Sequence, residues 1–208
     1  MKLLHIDASP RGDRSRSRVV ADGFIAALGE HRPGLAVTRI DLWSEPLPDL
    51  GAGMIEGRYN LIMGEAVEPA IAGAWDEVRA VAERFLSFDA YLVSTPMWNF
   101  GVPYRLKHYV DIVTQPGMTF TNDVQGNVIG LAAGRKAMLV GASALPIGVD
   151  GVMAEFDFQI AYLEAWLRFI GVVDIEIVRA APTFGAPEDV ASTMEAACRR
   201  AEVIAASF

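Results

Sequence analysis

Residues 9–18 read Ser9-Pro10-Arg11-Gly12-Asp13-Arg14-Ser15-Arg16-Ser17-Arg18. Three hydroxyls (Ser9, Ser15, Ser17) share this stretch with four arginines, in a chain that has only 18 basic residues. Hydroxyls and free N–H groups at the start of a helix make a phosphate site. The loop matches neither G-x-x-x-x-G-K-[ST] nor G-x-G-x-x-G, so a triphosphate cradle and a dinucleotide fingerprint are both disfavoured. A single phosphate group suits it better. Further along, Pro96-Met97-Trp98-Asn99-Phe100-Gly101 puts a thioether, two aromatics and an amide in one loop. Packing gives an exposed loop no reason to carry both rings, whereas a flat heterocycle does, because aromatics and Met contact π-faces well. Asn99 offers hydrogen bonds to ring heteroatoms.

One ligand with a phosphate at one end and a planar ring at the other accounts for both loops, and flavin mononucleotide (FMN) has that shape. The plain alternatives are Ser15 as an ordinary helix N-cap and Trp98 and Phe100 tucked under their loop as satellite core. A third segment, Ala142-Ser143-Ala144-Leu145, follows another apolar run.

These loops must be held by the elements before them. Residues 3–6, 36–42, 90–94, 137–140 and 172–178 read as short apolar strands. Helical spacing marks 18–28, 69–85, 103–113, 156–170 and 188–206, with Pro69 near a first turn and Gly171 as a C-cap. Residues 43–53 are rich in Gly and Pro and read as loop. Segment 54–66 is a short helix either over the site or at an interface. Strands alternating with helices predict an α/β fold: a flavodoxin-like, doubly wound, five-stranded parallel sheet in the order 2-1-3-4-5 with helices on both faces. Ligands of such sheets sit beyond the C-terminal strand ends, where these three loops lie. The 208 residues suit a single domain, 1–208.

Composition narrows the function. The chain is 52% hydrophobic with a net charge of −8. An acidic surface argues against nucleic acid or an anionic membrane as the main partner. One cysteine, Cys198, precludes an internal disulfide. Neither a signal peptide nor a spanning segment is legible, so the expected location is cytoplasmic. His5, His31 and His108 lie without ligand spacing, and no metal site is expected. His5 reads as a strand residue with a satisfied ring. A hydrolase is disfavoured: Gly141-Ala142-Ser143 lacks the closing Gly of a nucleophile elbow, and no histidine follows it.

Together with 106–111 (Leu-Lys-His-Tyr-Val-Asp) and 116–120 (Pro-Gly-Met-Thr-Phe), these loops resemble the FMN-dependent NADH:quinone oxidoreductases known as azoreductases. The similarity runs over nearly the whole chain. It implies a flavodoxin-like homodimer with two FMN sites at the subunit interface. Ser9, Ser15, Arg16 and Ser17 would meet the phosphate, with Arg11 beside them. Met97, Trp98, Asn99 and Phe100 would meet the ring, after Pro96. Phe120 would join an aromatic wall of the substrate pocket with Trp98. The chain departs from the family where Ala142 to Leu145 replace a Ser-Arg-Gly-Gly-like turn, their backbone N–H groups being the ones that would meet the flavin pyrimidine, and where Trp98 stands in place of a common Tyr.

The activity implied is ping-pong transfer of two electrons from NADH or NADPH to a quinone or azo acceptor. The flavin carries the chemistry, so no side chain is nominated as catalytic. A flavodoxin-type electron carrier and an NAD(P)H:FMN reductase are the alternatives. The apolar helix over 156–170, with Trp166 and Phe169, predicts a buried interface and favours the dimeric enzyme over a carrier.

Overall fold

The computed structural model describes residues 1–63 and 65–208. Its strands are β1 (Lys2–Asp7), β2 (Ala36–Asp41), β3 (Ala90–Pro96), β4 (Phe120–Asn122), β5 (Val128–Gly130), β6 (Lys136–Ala142) and β7 (Asp174–Ala180). Its helices are α1 (Arg16–His31), α2 (Ala52–Met63), α3 (Pro69–Leu86), α4 (Tyr104–Val113), α5 (Phe158–Phe169) and α6 (Pro187–Ala205). Five strands, all parallel, pair in the order β2-β1-β3-β6-β7, while β4 and β5 form a separate antiparallel hairpin. With the hairpin set aside, this is the expected 2-1-3-4-5 sheet.

The central strands are buried on both faces, which is why their sequences are continuous apolar runs rather than alternating ones. Successive side chains still point to opposite faces. Leu4, Ile6, Tyr91, Val93 and Leu139 join a core with Phe85, Leu106, Val110, Leu163 and Leu167 from α3, α4 and α5. Leu3, Leu92, Met138 and Val140 join another with Val20, Phe24, Met194 and Ala201 from α1 and α6. At about 25 cal/mol per Å² of apolar area, each such side chain contributes roughly 1.5–3 kcal/mol.

Three details differ from the sequence reading. The fifth sheet strand starts at Asp174 rather than 172. Helix α5 starts at Phe158, because the Asp157 side chain accepts the Ile160 N–H at 3.1 Å and caps it there. Trp166, expected at a buried interface, belongs instead to the chain's own core: it is 5% exposed, lies 5.9 Å from Phe85, and donates its Nε1–H to Thr114 Oγ1 at 2.9 Å. Only Phe158 and Phe169 of that helix's rings stay exposed.

Helix α2 packs on α3. Trp75 Nε1–H donates to the Met54 carbonyl at 3.0 Å, and Gly57 lies so close to Ile71 that a Cβ would overlap it. Residue 64, in the segment left open above, lies outside the described residues. The hairpin β4–β5 rests on the end of α5: Ala132 N–H donates to the Ile170 carbonyl at 2.8 Å, and Gly130 abuts Gly171, whose φ is 100°. Among the described residues no helix is long and apolar enough to cross a membrane.

Candidate functional site

The site is built on three neighbouring strand ends, those of β1, β3 and β6. After β1 the chain makes a 3-10 turn at Gly12–Arg14 and enters α1 through Ser15. Ser15 is the N-cap and accepts the Arg18 N–H at 3.2 Å; its oxygen also lies 3.2 Å from Ser17 Oγ. Ser9, Ser15 and Ser17 are all buried, and Ser15 is the N-cap that the plain alternative expects. The first-turn N–H groups of a helix have no carbonyl partner within it; here Arg18 gives its own to Ser15, and those of Arg16 and Ser17 have no partner among the described residues. Arg11, Arg14 and Arg16 are exposed, and none has a side-chain partner among the described residues. Arg16 lines a cleft with Thr183, Phe184 and Val190 instead. Arg18 points back under the loop to Asp7, with Asp13 and Asp41 each at 3.5 Å.

After β3 the chain folds on itself within four residues. Trp98 and Gly101 exchange N–H···O bonds of 3.0 Å in each direction. Asn99 and Phe100 between them have φ of 47° and 70°. Two successive positive φ values make a type I′ turn, for which Asn-Gly is the favoured pair. Asn tolerates this conformation, whereas a bulky Phe in it is strained. Strain of that kind clusters at ligand clamps and active sites.

The turn separates two clefts. One, of about 220 Å³, is lined by Met97, Asn99, Phe100, Ser143, Ala144, Leu145 and Ile147. It unites six of the residues singled out in the loops after β3 and β6; Ile147 was missed, being one more apolar residue in a mixed loop. The other, of about 700 Å³, takes in Trp98, Asn99, Tyr104, His108 and Asp111 with Asp49 and Leu50. Trp98 therefore faces away from the smaller cleft and packs with Trp43 at 5.5 Å and Tyr104 at 6.3 Å. Trp43, which anchors to the Ala8 carbonyl through its Nε1–H at 2.9 Å, was passed over as loop. Pro96 ends β3 and lines neither cleft. Nor does Phe120, which sits on the hairpin 4.8 Å from Phe169.

The segment after β6 is more committed than its sequence suggests. Ala142 is the last strand residue, and its carbonyl accepts the Met97 N–H at 2.7 Å. Ser143 N–H donates to the Ala180 carbonyl at 3.2 Å, and the Ser143 hydroxyl donates to the Leu145 carbonyl at 2.6 Å. Of the four residues, Ala144 and Leu145 keep N–H groups without a partner among the described residues. They are the donors that this wall offers.

A family profile described as a flavodoxin-like fold matches residues 1–204. An FMN-dependent NADH:quinone oxidoreductase of Ruegeria pomeroyi is 41% identical over 184 residues, 88% of this chain and 89% of that one. The chain belongs to this oxidoreductase family. A Pseudomonas syringae member is 35% identical over 207 residues, covering 100% and 99% of the two chains. Among solved structures, the azoreductase of Bacillus anthracis strain Sterne superposes with a TM-score of 0.89 at 26% identity, each chain covered in full. An FMN-dependent NADH-azoreductase from B. anthracis, solved in complex with FMN, gives 0.88 at 25% identity, with 100% and 99% covered. The family's NADH:quinone oxidoreductases and azoreductases are thus similar to this chain along its whole length.

Proposed function

We propose that this protein binds FMN across the ends of β1, β3 and β6 and uses it to pass two electrons from NADH to a quinone or azo acceptor. The observation that carries the reading is the convergence of buried hydroxyls at one strand end with a ring-sized cleft walled by a strained turn at the next two. Ser9, Ser15 and Ser17, with the first-turn N–H groups of α1, would hold the phosphate. Exposed Arg11, Arg14 and Arg16 add positive potential around it. Met97, Asn99 and Phe100 would line one side of the ring. The unpartnered N–H groups of Ala144 and Leu145 fit its carbonyl-bearing edge, which needs donors.

When bound, FMN supplies the hydride and electron chemistry, and the protein supplies placement. The Ala144 and Leu145 N–H groups are fixed dipoles that favour negative charge on whatever they face. Their Cβ atoms narrow the approach relative to a glycine turn. No side chain lining the smaller cleft titrates near neutral pH, so no residue is assigned to move a proton. Donor and acceptor would use one open face in turn, a ping-pong order. NADH is taken as the donor because the relatives are named for it. The single cysteine gives no sign of an oxidising compartment and fits a cytoplasmic location.

The working unit is proposed to be a homodimer. Ile129, Leu131, Phe169 and Val173 are exposed apolar residues around the hairpin and the end of α5, and a second copy would cover them. Phe120, which lines no cleft of its own chain, would then serve the substrate pocket together with Trp98. The test is the visible spectrum of purified protein, chromatography of the released cofactor, NADH-driven reduction of benzoquinone, and the mass in solution by light scattering. Retained FMN, steady turnover and a dimer mass are expected. A colourless protein that takes up no added FMN would refute the reading. Flavin lost on gel filtration would favour a reductase that releases its flavin.

A further inference from the structure

Below the β1 loop lies a group of polar side chains that the proposed chemistry does not use. His5, Asp7 and Ser94 are each 0% exposed. Strand alternation puts them on one face: Asp7 pairs with Ser94 across β1 and β3, and His5 with Arg39 across β1 and β2. Helix α1 lies over that face and contributes Arg18 and Asp22, one turn apart.

The hydrogen bonds among them run in one direction. Arg39 Nε–H can only donate, and it meets His5 Nδ1 at 2.9 Å. The His5 proton therefore sits on Nε2, which donates to Ser94 Oγ at 2.8 Å. Ser94 then donates to Asp7 Oδ1 at 3.4 Å. The same oxygen accepts the Ser9 N–H at 3.1 Å, and Oδ2 takes Arg18 Nε–H. Arg39 also bridges to Asp22 on α1. The sheet supplies one carboxylate and one guanidinium, the helix supplies the complementary pair, and His5 and Ser94 close the ring between them. Burial, with Arg39 and Arg18 nearby, pushes His5 down to about 3, so it stays a neutral spacer.

We infer that this closed ring is a positioning device that fixes the first turn of α1 against β1 and so presets Ser9, Ser15 and Ser17 for a phosphate. The inference rests on the FMN reading above. Arg18 and Asp7 act from beneath the loop, and His5, Ser94, Arg39 and Asp22 act through them. His5, Asp7 and Ser94 are buried and the Arg18 side chain nearly so. An unmatched buried donor is costly, so this part of the ring is held rather than sampled, while the Arg39–Asp22 pair closes it at the surface.

Riboflavin, which lacks the phosphate, separates positioning from general stability. In Ser94→Ala the chain is cut at its middle with little change in volume. The expected result is FMN binding weakened about tenfold by fluorescence titration, with riboflavin affinity unchanged and Ser94→Thr restoring most of the loss. Asp22→Ala gives a second reading at an exposed site that favours helix. Simple electrostatics predicts tighter FMN on loss of this negative charge, whereas the ring predicts FMN about two- to fivefold weaker. Wild-type protein that binds FMN, with variants that match it or that lose FMN and riboflavin equally, would overturn the inference alone. Wild-type protein that binds no FMN would overturn it together with the reading it rests on.

Discussion

Replacing Phe100 with glycine and, separately, with alanine measures the strain held in the turn after β3. Both variants lose the same ring and its contact with Phe156 at 5.3 Å, so their difference isolates the backbone. Phe100 has φ of 70°, where a Cβ costs roughly 1–2 kcal/mol. Alanine keeps that cost and glycine removes it. Against this, glycine loses about 0.5–1 kcal/mol more conformational entropy on folding. The balance leaves Phe100→Gly more stable than Phe100→Ala by roughly 0.5–1 kcal/mol, the reverse of their order in ordinary strand or helix. For a chain of this size that is a difference of about 1–4 °C in Tm. Scanning calorimetry of the flavin-free proteins reads it directly. Both variants should also bind FMN about two- to tenfold more weakly than wild type, the value of one aromatic contact. An alanine variant as stable as the glycine variant, or more so, would mean that the turn is not held left-handed, and the strain argument would fail.

Asn99→Ala should weaken FMN by about three- to tenfold through loss of side-chain hydrogen bonds; Asn99→Gly, which keeps the turn, should do the same, and unchanged affinity in both would move the ring elsewhere. Gly130→Ala puts a Cβ into the backbone of Ile170 and Gly171 and should lower stability by about 1–3 kcal/mol in urea unfolding; a neutral result would show that the hairpin does not press on the end of α5. His5 gives a pH test. Its folded pKa, about 3, lies below the unfolded value of roughly 6.5, so only the unfolded chain takes up this proton between them. Its contribution is complete above pH 6.5 and falls as the pH drops toward 3, with a slope approaching about 1.4 kcal/mol per pH unit. Wild-type urea midpoints should therefore fall between pH 7 and 5 more steeply than those of His5→Asn, and parallel curves would contradict a neutral buried His5.

Much of the fold was legible because buried parallel strands are short unbroken apolar runs, and 3–6, 90–94 and 137–140 could be little else. The hairpin β4–β5 was not, since its strands are three residues long with largely exposed side chains and are placed by Thr119, Gly130 and the end of α5 rather than by their own pattern. Loop composition located the candidate site, but side-chain direction was hidden. Trp98 and Phe100 are two apart and look equivalent in sequence, yet a four-residue turn sends them to opposite sides. Among the arginines, Arg16 and Arg18 were likewise indistinguishable until Asp7 claimed one of them. A buried carboxylate that selects its partner across the β1–α1 connection leaves no local signature.

Asn99 borders both clefts, so a single residue is the partition between two compartments. Whatever occupies one side leans on the same peptide that shapes the other, and neither room can be resized alone. Enlarging one cleft at this position would therefore also reshape the other.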